Sequence, residues 1–499
     1  MGNQPNATGS MRINRRDFVR LAGASGAGVA LGGLGLLDCA RPPRSLANAL
    51  ASELDEQHVR DFGAGFHGTL IRPADAEYDS ARMIWNARFD RRPGIIARCA
   101  DPADVRRAVQ FARTERLLVA VRGGGHSFAG YSVCDGGLVI DLSRLKSLQI
   151  VRERGVVTVA PGLLFSEINA ATEPASLAII TGGCPRVGIA GFTLSGGEGP
   201  LNGKHGLSCD NLLSADVVLA DGRAVTASHD ENPDLFWALR GGGGNFGVVT
   251  SFRLRAHPVT TVVAGELVYE LAQARAVLRE FRAFAPSAPD ELDAGLGFRA
   301  RQDGVVCHLG VTYLGDAASA EPVLGALRKL ATPIGDTIKP VSYFAGRTGG
   351  PRGGGPRVPS ITGTAFLRDL SDEGIDAIIE VGARTPPTGD LEINHLHGAV
   401  SRVPLETTAF PLRQPGFDCF AAAAWLAPAH RDAIVAWVRS FDDSVGPYAA
   451  GAYVNMLATD DAARVRAAYG GQYARLAQLK RRYDPENFFR LNANVQPGG

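Results

Sequence analysis

Apolar and polar positions alternate in two rhythms from residue 94 onward. Residues 95–98 form a short apolar run that reads as a strand. Asp101 then stands as a helix cap, with Pro102 in the first turn and Asp104 near the positive helix end. Val105, Ala108, Val109 and Ala112 recur at helical spacing and predict one buried face. Residues 117–121 are strand-like again, as are 138–140 and 156–159, and a helix is expected from Phe165. The stretch 211–252 repeats this style. A strand over 215–220, a turn at Asp221-Gly222, a second strand, a helix over 233–239 and a closing strand over 248–252 follow one another. Such alternation predicts a mixed α+β or α/β unit.

Around residues 258–263 the texture changes. Strand-like runs (266–269, 305–311, 420–425) are then interleaved with helical ones (271–284, 318–330, 432–441), which predicts a second, sheet-containing domain. Residues 347–359, rich in Gly, Pro and Arg, read as an exposed loop. The chain's 499 residues exceed what one small core organises, so more than one domain is expected. A formal net charge of +1 supplies no electrostatic reason for nucleic acid or an acidic surface as partner.

The first fifty residues follow other rules. Asn14, Arg15, Arg16, Asp17 and Phe18 resemble a twin-arginine export motif, and a glycine- and alanine-rich apolar stretch over 21–37 follows. That stretch is short and glycine-laden for a membrane span. Small-x-small patterns at 47–51 offer cleavage sites, so residues 1–51 are read as a signal peptide and the mature protein as periplasmic or secreted. The alternative is an apolar first helix of the fold. Seven cysteines occur without a Cys-x-x-Cys pair, which leaves zinc-ribbon and thioredoxin-like readings unsupported.

Chemistry concentrates in glycine-rich runs. Arg122, Gly123, Gly124, Gly125, His126 and Ser127 follow a predicted strand, and Gly183, Cys184, Pro185, Arg186, Val187 and Gly188 form a second such run. Backbone without side chains can lie close to a large planar or phosphorylated ligand. Lys204-His-Gly206, Cys209-Asp-Asn211, the glycines 241–244 and Tyr483-Asp-Pro-Glu-Asn487 come after them in order. On these motifs the chain resembles the berberine bridge enzyme-like family of FAD-linked oxidases, within the vanillyl-alcohol-oxidase type of flavoprotein. The likeness spans residues 78–497 and is strongest over 119–255 and 448–497.

The resemblance implies a two-part FAD-binding domain of the PCMH type plus a substrate domain with an antiparallel sheet flanked by helices, an α+β fold. The expected limits are 78–262 for the FAD-binding part, 263–454 for the substrate part and 455–499 for a C-terminal segment completing the first. It also implies covalent FAD, bonded through His126 at the 8α-methyl carbon and through Cys184 at carbon 6. Backbone contacts to the cofactor are implied for Arg122, Gly123, Gly124, Gly125, Ser127, Gly130, Gly188, Gly191, Gly196, Gly197 and Gly199, with Val249, Asn492 and Asn494 also beside it. Val187 stands where valine in relatives accompanies access of dioxygen to reduced flavin.

For the reaction, the resemblance implies hydride transfer from an alcohol carbon of a sugar, oligosaccharide or polycyclic metabolite to flavin N5, with hydrogen peroxide as co-product. The alternative is a flavin dehydrogenase using another electron acceptor. Many relatives place a tyrosine base last in Tyr-x-Asn-Tyr, but Met456 occupies that position here and only Tyr453, first in the motif, remains. Asp418 lies about where the plant alkaloid-forming member has an acid-base glutamate. Both are candidate catalytic residues, although Asp418 could equally be a turn residue after Pro415-Gly416. His395 and His397 share one face of a predicted strand and could line the same cleft, without a third ligand to argue for metal. Tyr343, Phe344 and Trp425 are candidates for stacking on substrate.

Overall fold

The helix expected after Asp101 runs Pro102–Thr114 in the computed structural model, which describes residues 54–348, 357–458 and 461–498. Asp101 caps it by accepting the Asp104 N–H, and Val105, Ala108, Val109 and Ala112 are all fully buried. Asp104 does more than favour the helix dipole. Its carboxylate accepts N–H bonds from His67, Gly68 and Ala100, and so ties the preceding turn to the helix.

That helix packs on a four-stranded sheet made of Thr69–Ile71, Ile95–Arg98, Leu138–Asp141 and Val119–Arg122, in that spatial order. The last three are parallel, and the register sets Arg98, Asp141 and Arg122 side by side at one end. This sheet starts before residue 78, where the resemblance set the expected limit of the FAD-binding part. A second, five-stranded antiparallel sheet follows: Leu148–Val151, Val156–Val159, Val248–Arg255, Leu212–Val218 and Ala224–Ser228. The helix Pro233–Leu239 packs with it, every residue from Leu235 to Leu239 being buried.

From Thr261 the chain builds an eight-stranded antiparallel sheet. Its long strands, in spatial order, are Thr261–Glu270, Gly304–Tyr313, Leu292–Arg301, Gly389–Leu396, Gly416–Ala424 and, at the edge, Ser360–Leu367. Side chains alternate across a strand, so one face can be apolar and the other polar. Leu296, Phe298, Leu309, Ile393, Cys419 and Ala421 point to one face. There they meet Phe281 of helix Ala274–Phe284, Ile378 of Asp372–Gly382 and Trp437 and Phe441 of Arg431–Val445. The strands at 292–301 and 360–367 and the helix at 372–382 were not expected from the sequence pattern, whereas the strand predicted around His395 is Gly389–Leu396.

The C-terminal segment returns to the first part of the chain. Lys480, wholly buried, donates to Asp484 at 2.6 Å, to the Asn245 carbonyl at 2.8 Å and to the Phe489 carbonyl at 2.9 Å. Asn245 in turn donates to Ala493 and accepts from the Val495 N–H. Residues 484–495 are thus laced to the glycine loop at 241–246. Residues 1–53, where the export signal is expected, lie outside the described residues, as do 349–356 of the expected loop. Among the described residues no helix is long and apolar enough to cross a membrane, and all six cysteines are free.

One ion pair braces the first sheet. Arg122 donates to Asp141 at 2.8 Å, both residues being nearly inaccessible, and its other nitrogen donates to the Ala81 carbonyl at 2.6 Å. Burial works to raise the Asp141 pKa, but the Arg122 charge and hydrogen bond hold it below the usual carboxylate range. Removing one partner of a buried pair leaves the other charge uncompensated. Asp141→Asn should therefore lower the unfolding free energy by ~3–5 kcal/mol. Urea unfolding checks this, and a loss under ~1 kcal/mol would show that the pair does not brace the sheet.

Candidate active site

Two glycine loops meet back to back. A Cβ on Gly124 would lie 2.6 Å from the Gly188 Cα, and one on Gly188 would lie 2.6 Å from the Gly124 Cα. Only glycine at both positions allows this approach, which brings the loop carrying His126 against the loop carrying Cys184. The two side chains end 3.9 Å apart, Nε2 to Sγ. The indole of Trp85 stacks on the His126 ring with centroids 4.0 Å apart, and its backbone N–H donates to the Gly125 carbonyl. Burial, reinforced by the Arg186 charge, lowers the His126 pKa to about 4. At neutral pH the ring is uncharged and one nitrogen keeps a free lone pair.

These loops form part of the wall of a cavity of about 710 Å³. Of the residues expected beside a cofactor, Gly123, Gly124, Gly125, His126, Ser127, Cys184, Val187, Gly188, Gly191, Gly199, Val249 and Asn492 line it. Arg122, Gly130, Gly196, Gly197 and Asn494 do not. Arg122 is turned into its ion pair with Asp141, and the face of Gly130 where a Cβ would stand is filled by the Phe89 ring. The same face of Gly196 is filled by Phe410, and that of Gly197 by Ser208 and Phe192. These glycines serve close packing behind the wall.

The opposite wall is the polar face of the large sheet. Asp293, Thr312, Asn394, Asp418 and Phe420 line the cavity from it. Thr312 pairs with Asp293 across one strand boundary and Asn394 with Asp418 across another. Asp418 sits within the strand Gly416–Ala424, 1% exposed, and the turn reading of this residue does not hold. Glu198, from the glycine turn after helix Ile189–Leu194, joins the same space. The sequence reading missed both Glu198 and Asp293. Their only signal was an acid within an otherwise apolar or glycine-rich run.

Burial raises the pKa of all three carboxyls. Asp293 is pushed to about 7, with the Arg347 charge opposing. Asp418 is raised by burial, and Glu198 well above the usual range by burial and then by the Asp418 and Asp293 charges. Tyr453 also lines the cavity, from a position immediately before the short turn Val454–Met456. Its hydroxyl oxygen accepts N–H bonds from Gly197 at 3.0 Å, Glu198 at 3.3 Å and the Asn455 amide at 2.9 Å. Burial and the Glu198 charge nevertheless raise its pKa, so the proton stays on the phenol.

The expected stacking residues are elsewhere. Tyr343 and Phe344 pack in a small core with Ile180, Leu201 and Val262, and Trp425 lies in the large core beneath the sheet. Phe128, Tyr131, Phe192 and Phe420 line the cavity instead. His395 reaches the lining, but its ring stacks on His397 at 4.2 Å and on Phe417, toward the helix-covered face. Burial and then His397 lower its pKa to about 3.

Residues 93–228 match the family model described as FAD binding domain, and residues 452–496 match that described as Berberine and berberine like. The (R)-6-hydroxynicotine oxidase of Paenarthrobacter nicotinovorans is 30% identical, over 87% of this chain and 97% of its own. Among solved structures, BBE-like 1 of Physcomitrella patens is 25% identical with a TM-score of 0.80, covering 88% of this chain and 99% of that one. The xylooligosaccharide oxidase of Myceliophthora thermophila C1, solved with xylobiose, is also 25% identical with a TM-score of 0.80, covering 89% and 99%. The cavity fits FAD. Gly183, Gly191 and Gly244 line it and face open space where a Cβ would project, and Asn492 turns an unpartnered carbonyl oxygen toward the same wall.

Tyr453→Phe removes the shared acceptor of three N–H donors. Unmade bonds to buried donors cost ~1–3 kcal/mol each, so a clear fall in melting temperature is expected along with slower turnover. Differential scanning calorimetry checks it. An unchanged melting temperature would mean that the three donors find other acceptors.

Proposed function

Because the chain belongs to the berberine bridge enzyme-like family of FAD-linked oxidoreductases, we propose that it is an oxidase whose FAD is bonded through both His126 and Cys184 and which oxidises an alcohol carbon of a sugar or secondary metabolite. The observation that carries this reading is the 3.9 Å approach of an uncharged imidazole and a free thiol on two glycine loops of one cavity wall. A bound flavin supplies two-electron redox chemistry between a substrate C–H bond and dioxygen. Val187, in the lining beside Cys184, supports dioxygen as the acceptor, with hydrogen peroxide as product.

The chain's own residues manage the protons. Asp418, facing the cavity from the sheet with one oxygen unpartnered, takes the proton of the substrate hydroxyl. Tyr453, fixed by three donors, holds its phenolic proton toward the cavity and orients the substrate oxygen. Aromatic rings of the lining, Phe128, Tyr131, Phe192 and Phe420 among them, exclude water and offer faces to a sugar or a polycycle. Residues 78–262 and 455–499 are read as the cofactor-holding part and 263–454 as the substrate part. In support, the glycine loops and the C-terminal lacing lie on one wall and the acids of the large sheet on the other. Export of the mature protein by the twin-arginine route rests on the motif at Arg15 and Arg16.

Acid precipitation tests the double bond to cofactor. The yellow colour should stay with the pellet in the parent and in each single variant, His126→Ala and Cys184→Ala, and leave it only in the double variant. Colour released from the parent would end the covalent reading. For the base, Asp418→Asn should lower kcat by roughly 10²–10⁴-fold, followed by oxygen uptake with a panel of sugars and phenolic alcohols. Asp418 must be ionised to accept a proton and its pKa is raised, so the rate should climb as pH rises through that pKa. A pH-independent rate in the parent, or near-full activity in the variant, would exclude Asp418.

A further inference from the structure

The run Cys209-Asp210-Asn211 stands out in the sequence, yet none of its residues lines the cavity. Its acid is engaged in a buried ion pair behind the wall. Arg413, 4% exposed, donates to both Asp210 oxygens, from Nη1 at 2.8 Å and from Nη2 at 2.6 Å. Nη2 also donates to the Thr408 hydroxyl at 2.6 Å. Asp210 in turn accepts the Leu207 N–H at 2.9 Å, which closes residues 207–210 into one turn. A buried ion pair is a poor source of stability, because apolar residues of similar volume often serve as well. What a two-pronged guanidinium–carboxylate contact supplies is direction.

That direction reaches the cavity through two successive peptide units. The Cys209 N–H donates to the Gly196 carbonyl at 2.8 Å, and the Ser208 N–H donates to the Gly197 carbonyl at 2.9 Å. At the other ends of the same two units are the N–H groups of Gly197 and Glu198, both of which donate to the Tyr453 hydroxyl. A peptide unit is planar, so holding its carbonyl aims its N–H. Gly196 and Gly197 have φ of +117° and +90°, a range that favours glycine, and here the two N–H groups converge on one oxygen. A second contact runs through rings. The Arg413 guanidinium lies 5.1 Å from the centroid of Phe410, and that ring meets Tyr453 edge-on at 6.1 Å.

We infer that Arg413 is a positioning residue of the oxidation. Paired with Asp210, it holds the 207–210 turn and the Phe410 ring, and these fix the Tyr453 phenol from two sides. This deepens the oxidase reading and rests on the part that reading gives Tyr453. Arg413 touches neither substrate nor cofactor, since it lies outside the lining. Its effect passes through the peptide units at 196–198 and ends at the one hydroxyl they hold. The pair therefore acts on turnover only as far as Tyr453 does.

Crystal structures of the flavin-loaded Arg413→Lys and Asp210→Asn variants test the geometry. Lysine keeps the charge without the fork, and asparagine keeps the shape without the charge. In each, the Tyr453 hydroxyl should leave hydrogen-bond distance of the Gly197 and Glu198 N–H groups. The structures read this whether or not an alcohol of the panel is turned over, and either variant suffices if the other fails to fold. Oxygen uptake with the best-oxidised alcohol of that panel should give a kcat/KM roughly 10–100-fold below the parent, at equal flavin absorbance per protein. In a Tyr453→Phe background the same substitutions should change kcat/KM by under about threefold. A merely structural pair would lower it by the same factor in both backgrounds. A hydroxyl still held by its donors, equal losses in both backgrounds, or a Tyr453→Phe enzyme as active as the parent would overturn the inference. Any of these, found together with oxygen uptake and a coloured acid pellet in the parent, removes the inference and leaves the oxidase reading standing.

Discussion

The site depends on two stretches of backbone passing closer than any side chain permits. At Gly124 and Gly188 the backbones approach to a distance at which a single methyl group would collide with a main-chain atom. Everything on the cofactor side follows from it. The loop after strand Val119–Arg122 and the loop before helix Ile189–Leu194 become one surface, and His126 and Cys184, far apart in sequence, share it. The first loop is held from behind by Arg122, which ties the strand end to Asp141 and to the Ala81 carbonyl. From there a short run of chain leads to Trp85, whose ring covers the His126 imidazole. An ion pair in the sheet thus helps to fix the orientation of a side chain in the cavity.

The other wall is made by period-two alternation. In strand Gly416–Ala424, Phe417, Cys419 and Ala421 enter the apolar core while Asp418 and Phe420 enter the cavity. The same division separates Leu292 and Ala294 from Asp293. Helices Ala274–Phe284, Asp372–Gly382 and Arg431–Val445 bury the apolar face, and that burial pins the register. A slip of one residue would exchange the two faces and drive the acids into the core. Packing on the far side of the sheet therefore decides which carboxyls face the cavity.

Much of the framework was legible in the chain. The cap at Asp101, the helix Pro233–Leu239 and the strand Val156–Val159 stand where the pattern put them, because local periodicity and capping chemistry govern them. The large sheet was less readable. Strand Leu292–Arg301 interrupts its alternation with Gly295 and Gly297, and both lie where an added Cβ would strike a neighbouring strand. The site split in the same way. Glycine motifs announced the cofactor wall, though they did not separate Gly124, which faces the other loop and the cavity, from Gly196, which packs on Phe410. Glu198 and Asp293 stayed hidden because nothing local marks a carboxyl that only long-range folding brings to a cavity. Tyr343 and Trp425 were misplaced for the converse reason, since an aromatic residue reads alike in a core and in a binding wall.

Two populations of buried carboxyl pull the fold in opposite directions as pH changes. Asp141 has its pKa held down by Arg122, so it contributes stability above the unfolded-state value, and that contribution is lost as pH falls through the depressed folded value. Asp293, Asp418 and Glu198 have raised pKa values, so the folded state binds their protons more tightly than the unfolded chain does. Their contribution is present at low pH and declines as pH rises from the ordinary carboxylate range, for Asp293 toward about 7. The protein is therefore braced by Asp141 behind the first glycine loop and strained by the three acids of the cavity. That strain lies within the cavity, where an occupant that donates hydrogen bonds or carries charge relieves it. Buried acids with raised pKa values that line a cavity are candidates for the binding surface.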